Sequence, residues 1–164
     1  MSLATVHKEL YHTSGLTEIH ADELLSEIIQ QILRMSTAPG RPMDLETRFA
    51  PIRLLPDQAV PVSLFVTEAL TNALRYVTLS SGASTRLRVT LDQVPGTDEV
   101  ELEVANSLPA PGADSTGLDG GTGLGTRLLN AFAAQTGGGY ETRQEDGLHR
   151  IILRFTPIAQ AEAA

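Results

Sequence analysis

Two short segments of strict alternation constrain this chain more than any other feature. From Arg86 to Asp92 the apolar residues are Leu87, Val89 and Leu91; from Glu99 to Ala105 they are Val100, Leu102 and Val104. An apolar residue at every second position marks a strand with one buried face and one wet face. Pro95-Gly96-Thr97-Asp98 between them is a turn, so the pair reads as an antiparallel hairpin. A sheet with one apolar face needs a cover on that side, and the rest of the chain must supply it.

Helical periodicity supplies three such covers. A first helix runs from about Asp22 to Met35, with Leu24, Leu25, Ile28, Ile29, Ile32 and Leu33 on one face. Thr37 to Pro42 breaks it, and Met43 to Leu54 reads as a strand with an exit at Pro51, Leu45, Thr47 and Phe49 sharing one side. A longer helix spans about Asp57 to Leu79 and stops at Ser80-Ser81-Gly82-Ala83-Ser84. A Pro- and Gly-rich loop occupies Asn106 to Gly123, and a third helix follows from about Leu124 to Thr136, with Gly137 as its left-handed cap. Tyr140–Gln144 and Leu148–Phe155 form a last hairpin around Glu145-Asp146-Gly147. The expected fold is α+β: a two-layer sandwich of a mixed, mostly antiparallel sheet of about five strands, covered on one face by three helices. One domain over residues 14–157 is expected, with 158–164 an Ala-rich, frayed tail.

Composition removes several function classes. Twenty acidic against 12 basic residues give a net charge of −8, which disfavours nucleic acid and anionic membranes as partners. With no cysteine there is no disulfide, zinc ribbon or thiol catalysis, and with no Trp and 4% aromatic content there is no stacking surface for single strands. No apolar run is long enough for a membrane span and no signal peptide opens the chain, so a soluble, cytoplasmic domain is expected.

Two stretches carry chemistry. In the long helix, Glu68, Asn72, Arg75 and Tyr76 fall on one stripe, opposite Val62, Val66, Leu70, Ala73 and Val77, with Leu64 and Phe65 flanking it. A carboxylate and an amide one turn apart can share a hard cation or a water; they can equally be a solvated helix face. The loop before the third helix reads Gly117-Leu118-Asp119-Gly120-Gly121-Thr122-Gly123-Leu124-Gly125-Thr126. Such glycines let backbone N–H groups turn toward an anion in front of a helix N-terminus, though a flexible connector has the same composition. A dinucleotide fingerprint from Gly121 would need Gly where Thr126 stands, and a P-loop needs a lysine, of which the chain has only Lys8.

Taken together and in this order, Glu68-x-x-x-Asn72 and Gly121-Thr122-Gly123-Leu124-Gly125 resemble the N-box and second glycine box of the ATP-binding domain of sensor histidine kinases, within the gyrase, chaperone, kinase and mismatch-repair ATPase superfamily. The helix and turn through Gln135-Thr136-Gly137-Gly138 also look like those that follow that box, so the resemblance runs from about Met43 to Pro157. It implies that Asn72 offers its side-chain oxygen to a Mg²⁺ on the ATP phosphates, and that Glu68 orients or deprotonates the nucleophile. It further implies that Arg75 meets a phosphate and that Tyr76 packs near adenine or ribose. Gly121, Gly123, Leu124, Gly125 and Thr126 would wrap the phosphates, with Asp114 to Gly120 as the body of a lid. Leu10-Tyr11 and the helix behind them look like the junction below the dimerisation helices, so residues 1–13 are either a remnant of that junction or a cloning scar. Neither His7 nor His12 has the surroundings of a phosphoacceptor, whose helix is therefore expected to be missing or truncated here. His20 and His149 read as surface or packing residues.

The function this implies is transfer of the γ-phosphoryl group of Mg-ATP to a histidine on a partner dimerisation domain that serves a response regulator. The pattern departs at one place: the family's Asp-x-Gly-x-Gly, whose Asp accepts from the adenine amino group, is here Asn106-Ser107-Leu108-Pro109-Ala110. A neutral acceptor contributes about 1 kcal/mol less than a charged one, which is about fivefold in affinity. Leu108 in place of a glycine puts a side chain beside the adenine pocket. These departures leave a degenerate, non-catalytic scaffold as an alternative, and a serine kinase of the anti-sigma-factor type on the same fold as another.

Overall fold

The computed structural model describes residues 17–36, 43–79, 85–108 and 123–158, with the backbone alone for 76–79. The expectations placed on residues 1–13, on the lid body Asp114–Gly120, on Gly121 and on the tail beyond Ile158 lie outside the described residues. The elements follow one another as β1 (Ile19–His20), α1 (Ala21–Ser36), β2 (Met43–Phe49), β3 (Arg53–Leu54), α2 (Pro56–Leu79), β4 (Thr85–Gln93), β5 (Val100–Ser107), α3 (Leu124–Gln135), β6 (Gly139–Glu145) and β7 (Leu148–Phe155).

Five strands form one sheet in the order β2-β4-β5-β7-β6. All neighbours are antiparallel except β2 and β4, which run parallel because α2 carries the chain across between them. The alternation of β4 and β5 is realised as expected: Leu87, Val89, Leu91, Val100, Leu102 and Val104 are all buried on the helix side. Ile151, Leu153 and Phe155 of β7 extend that face, and Val62, Phe65, Val66, Ala69, Leu70 and Ala73 of α2 press down on it. Asp146 and Gly147 both have positive φ, so the β6–β7 hairpin turns with the twist its strands require.

The stretch 43–54 is two strands rather than one. β2 ends at Phe49, and β3 leaves the main sheet to pair with β1, Ile19 opposite Leu54. Pro51 has no N–H to continue the ladder, and Ile52 instead hands its carbonyl to the Ala21 amide at 2.9 Å, which seats the start of α1. On β2, Met43 and Phe49 pack against the core, whereas Leu45 and Thr47, expected on the same side as Phe49, are exposed because this is the edge strand.

The other face of the sheet is an ion-pair lattice. Glu103, at the middle of β5, is 3% exposed even though it points away from the helices. Arg88 of β4 donates to it through Nε (3.1 Å) and Nη2 (2.7 Å), and Arg150 of β7 through Nε (2.8 Å) and Nη2. Arg150 also meets Glu145, Arg154 meets Glu101, and Arg48 ties β2 to β4 through Asp92. Burial alone would push the Glu103 carboxyl up, but the hydrogen bonds and charges of Arg150 and Arg88 outweigh it and hold it below the ordinary carboxylate range.

A group whose pKa is depressed by folding contributes stability that is complete above its unfolded value and is lost as pH falls through the folded one. Glu103→Gln is therefore expected to lower the denaturant midpoint at pH 7, with a stability loss of roughly 2 kcal/mol because both guanidiniums can still reach water. The gap to the parent chain should close as the pH is taken down below the ordinary glutamate range; a gap that stays constant to pH 3 would show that the charge is not the source.

Candidate functional site

The long helix and the third helix cross with their chains antiparallel, and the crossing is held at both ends. At one end Gln58, 3% exposed near the start of α2, donates from Nε2 to the carbonyls of Thr136 (3.0 Å) and Thr156 (2.9 Å), while its Oε1 accepts from the Ile158 amide at 2.8 Å. One side chain thus joins α2, the end of α3 and the segment after β7. Behind Thr136, Gly137 takes the left-handed conformation that closes α3. Gly138 lies so close to β7 that a Cβ there would sit 1.9 Å from the Arg154 carbonyl oxygen.

At the other end the separated sequence signals meet. A Cβ placed on Gly125 would lie 3.0 Å from Glu68 Oε1, 3.5 Å from Asn72 Nδ2 and 3.9 Å from Asn72 Oδ1. Glu68 and Asn72 are half-buried and face Gly125 across the α2–α3 seam. Four residues on α2 advance about 6 Å, one turn, which puts both polar heads against the same point of α3. The Phe65 that flanks them is fully buried, Leu64 is half-buried, and Arg75 is exposed. Tyr76 lies on α2, its side chain outside the described residues.

The first turn of α3 carries backbone donors that the helix itself does not use. Its N-cap is Gly123, in the left-handed region (φ 73°), with no side-chain cap. The first intrahelical bond of that turn is from the Arg127 amide to the Gly123 carbonyl, so the N–H groups of Leu124, Gly125 and Thr126 have no acceptor within the helix. Leu124 and Thr126 are exposed there. N–H groups that a helix does not use and the positive end of its dipole attract an anion, and two side-chain oxygens beside them attract a cation.

Two contributors, Gln58 and Tyr140, escaped the sequence reading. Tyr140 of β6 packs edge-on against Phe65, ring centres 5.7 Å apart, and its hydroxyl lies 3.5 Å from the Thr126 carbonyl, tying the first turn of α3 to the sheet. Burial raises its pKa, which keeps that hydroxyl protonated as a donor. The only hint in sequence was an aromatic residue among charged ones in a strand.

Asn106 lies at the far end of β5, on the helix-facing side, 1% exposed. The ladder places it between Leu87 of β4 and His149 of β7. Its Nδ2 donates to the Ser107 carbonyl at 3.1 Å, and since a carbonyl can only accept, the amide oxygen is turned the other way. Leu108 is half-buried, its amide donating to the Gly147 carbonyl at 2.9 Å. Among the described residues no group of three or more His, Asp or Glu side chains is placed to hold a metal, and no helix is long and apolar enough to cross a membrane.

The sequence matches no family model and no curated protein. Solved structures do match. The histidine kinase domain of the blue-light-activated histidine kinase EL346 from Erythrobacter litoralis superposes with a TM-score of 0.73 at 17% identity, over 98% of this chain and 72% of that one. The catalytic domain of histidine kinase ThkA gives 0.63 at 16% identity over 87% and 96% of the two chains. The mycobacterial sensor histidine kinase MprB gives 0.61 at 17% identity over 87% and 100%. The chain therefore has the α+β sandwich fold of the catalytic domains of sensor histidine kinases.

Proposed function

We propose that this chain binds Mg-ATP where α2 crosses α3 and passes the γ-phosphoryl group to a histidine on a dimerisation domain, in two-component signal transduction. The observation that carries this reading is the convergence of Glu68 and Asn72 on Gly125, beside the uncapped first turn of α3. A carboxylate next to an anion-attracting helix end repels the anion unless a cation lies between them. Two oxygen-bearing side chains suit magnesium, which keeps waters and phosphate oxygens for the rest of its shell. Bound there, Mg²⁺ supplies neutralisation of the charge on the phosphate oxygens.

In this reading Asn72 offers Oδ1 to the metal and the Leu124, Gly125 and Thr126 amides hold the phosphates. Glu68 accepts the proton from the imidazole N–H opposite the attacking nitrogen as the nitrogen–phosphorus bond forms and the bond from the γ-phosphorus to the β–γ bridging oxygen breaks, leaving ADP. Gly121 and Gly123 would continue the phosphate wrap, Arg75 would meet a phosphate from the open end of α2, and Tyr76 would lie by the base or ribose. Asn106 would accept from the adenine amino group. The receiving histidine, the response regulator it serves and a cytoplasmic location belong to the same proposal.

Leu108 and the neutral Asn106 favour a second reading, a degenerate scaffold that binds no nucleotide. Calorimetric titration with a non-hydrolysable ATP analogue, with and without Mg²⁺, separates the two. Saturable Mg-dependent binding supports the kinase; no heat and an unchanged melting temperature at millimolar nucleotide supports the scaffold.

Three substitutions test the assignment of roles. Asn72→Ala should remove the Mg-dependent part of ATP affinity at an unchanged melting temperature, and retention of that part would take the metal away from Asn72. Glu68→Gln should still bind nucleotide but lose about 10²–10⁴-fold in the rate of transfer to a supplied histidine domain; normal transfer would exclude it as the base. Gly125→Ala separates stability from function. Alanine is a better helix former by about 1 kcal/mol, and the Glu68 carboxylate can yield, so the melting temperature should hold or rise. Transfer should nevertheless fall, because the added methyl takes the place at which Glu68 and Asn72 meet.

A further inference from the structure

β6 closes one side of the sheet, and the phase of its hydrogen bonds follows from its neighbours. The Leu108 amide donates to the Gly147 carbonyl, so β7 bonds to β5 through Gly147 and every second residue after it. The residues between, Leu148, Arg150, Ile152 and Arg154, therefore bond to β6, where the register sets them against Glu145, Arg143, Glu141 and Gly139. The two-residue turn at Asp146-Gly147 demands the same phase. That leaves the N–H and C=O groups of Tyr140, Thr142 and Gln144 directed off the sheet, with no backbone partner among the described residues. Every residue from Glu141 to Glu145 is exposed, and neither Pro, Lys nor a bulge blunts this edge.

We propose that this edge takes a second copy of the chain: two β6 strands add antiparallel about a two-fold axis through Thr142, joining two sheets into one. The inference goes beyond the nucleotide reading and does not depend on it. An axis at Thr142 sets that residue against its own copy and Tyr140 against the partner's Gln144. Each outward N–H and C=O of one copy then meets its complement in the other. The charges agree with the same register, because on the Arg150 face it sets Glu141 against the partner's Arg143. Within the chain Arg143 stands opposite Arg150, a like charge, and its carboxylate, Glu141 at 2.6 Å, comes from its own strand. A second copy supplies the cross-strand carboxylate that its own sheet does not. An axis at Arg143 instead would oppose Arg143 to itself and Glu141 to Glu145, and turn the bonding groups out of phase. The far edge repeats the Glu-Thr-Arg run at 46–48 of β2, but there Glu46 faces Arg88 in the ladder and Arg48 is bonded to Asp92 at 2.7 Å. Its charges are matched within the chain. One strand pair is a small interface of the transient class, so the dimer is weak and concentration-dependent.

Thiol trapping in the full chain tests this, since with no native cysteine one substitution installs the only thiol. Thr142→Cys puts both thiols on the axis with Cα atoms about 5.5 Å apart, within the span of a disulfide. Glu141→Cys sets each thiol about 8 Å from its copy, outside that span. Under a mild oxidant Thr142→Cys should form the linked dimer about tenfold or more faster than Glu141→Cys at equal concentration. In the Thr142→Cys background, Arg143→Glu should slow linkage about fivefold, and Glu141→Arg added to it should restore the rate. Sedimentation of the parent chain should show its average mass rising with concentration, and this arm needs no substitution. A parent that stays monomeric at millimolar concentration, or equal linkage from the two positions, overturns the dimer edge. So does fastest linkage in Thr47→Cys, which would put the contact on β2. A rate untouched by Arg143→Glu overturns the register through Thr142.

Discussion

The crossing of α2 and α3 is the contact on which the rest of the molecule depends. Gln58 meets the end of α3 and Glu68 and Asn72 meet its beginning, so the two helices run side by side over most of α3. The spacings agree: ten to fourteen residues on α2 and eleven between Gly125 and Thr136 on α3 each amount to roughly 15–20 Å of helix. Such a seam fixes α3 along its axis as well as across it. A shift of one residue would pull the Thr136 carbonyl off Gln58 and carry Gly125 away from the two polar heads. The buried amide of Gln58 makes the seam specific, since it bonds two carbonyls and one amide from two separate segments, and an apolar residue there would leave all three groups unpaired.

The sheet contributes rigidity on its far side by a different means. Helices cover only one face, yet Glu103, Ala105 and Ile152 on the other face are buried. The arginine stems of β4 and β7 lie over that face and converge on Glu103, so charged side chains do the covering that a third layer would otherwise provide. Pairing across β4, β5 and β7 also fixes the register of the central strands, because a slip of one residue would turn Glu103 into the apolar core. The position of Asn106 and His149 follows from that register.

Much of this was legible in the sequence. Period-2 alternation located β4 and β5, helical stripes located α1 and α2, and Gly137 marked the end of α3, because each depends on local geometry alone. The pairing of Glu68 with Asn72 was visible too, as a stripe. What periodicity cannot say is what lies against a stripe, so a seam and a solvated face looked the same until Gly125 was placed beside them. Glu103 misleads for a related reason: it sits at an outward position of an alternating strand, and only the arginines of two neighbouring strands bury it. Gln58 and His149 gave no signal, being single polar residues whose partners lie about 78 to 100 and 43 positions away in the chain. Pro51 did announce a break, but the pairing of β3 with β1 depends on where α1 docks.

Under the proposed function the two halves of a nucleotide answer to different parts of this architecture. The phosphate end is built by helix packing, from side chains on α2 and backbone amides on α3, and changes wherever the seam changes. The base end is built into the strand ladder, where the neighbours of Asn106 are fixed by register and cannot shift one at a time. Tyr140 links the two, touching Phe65 below α2 and lying against the first turn of α3 from its place on β6. A carboxylate replaced there by an amide loses charge but keeps an acceptor, so the base end can bear that change while the ladder around it stays as it is.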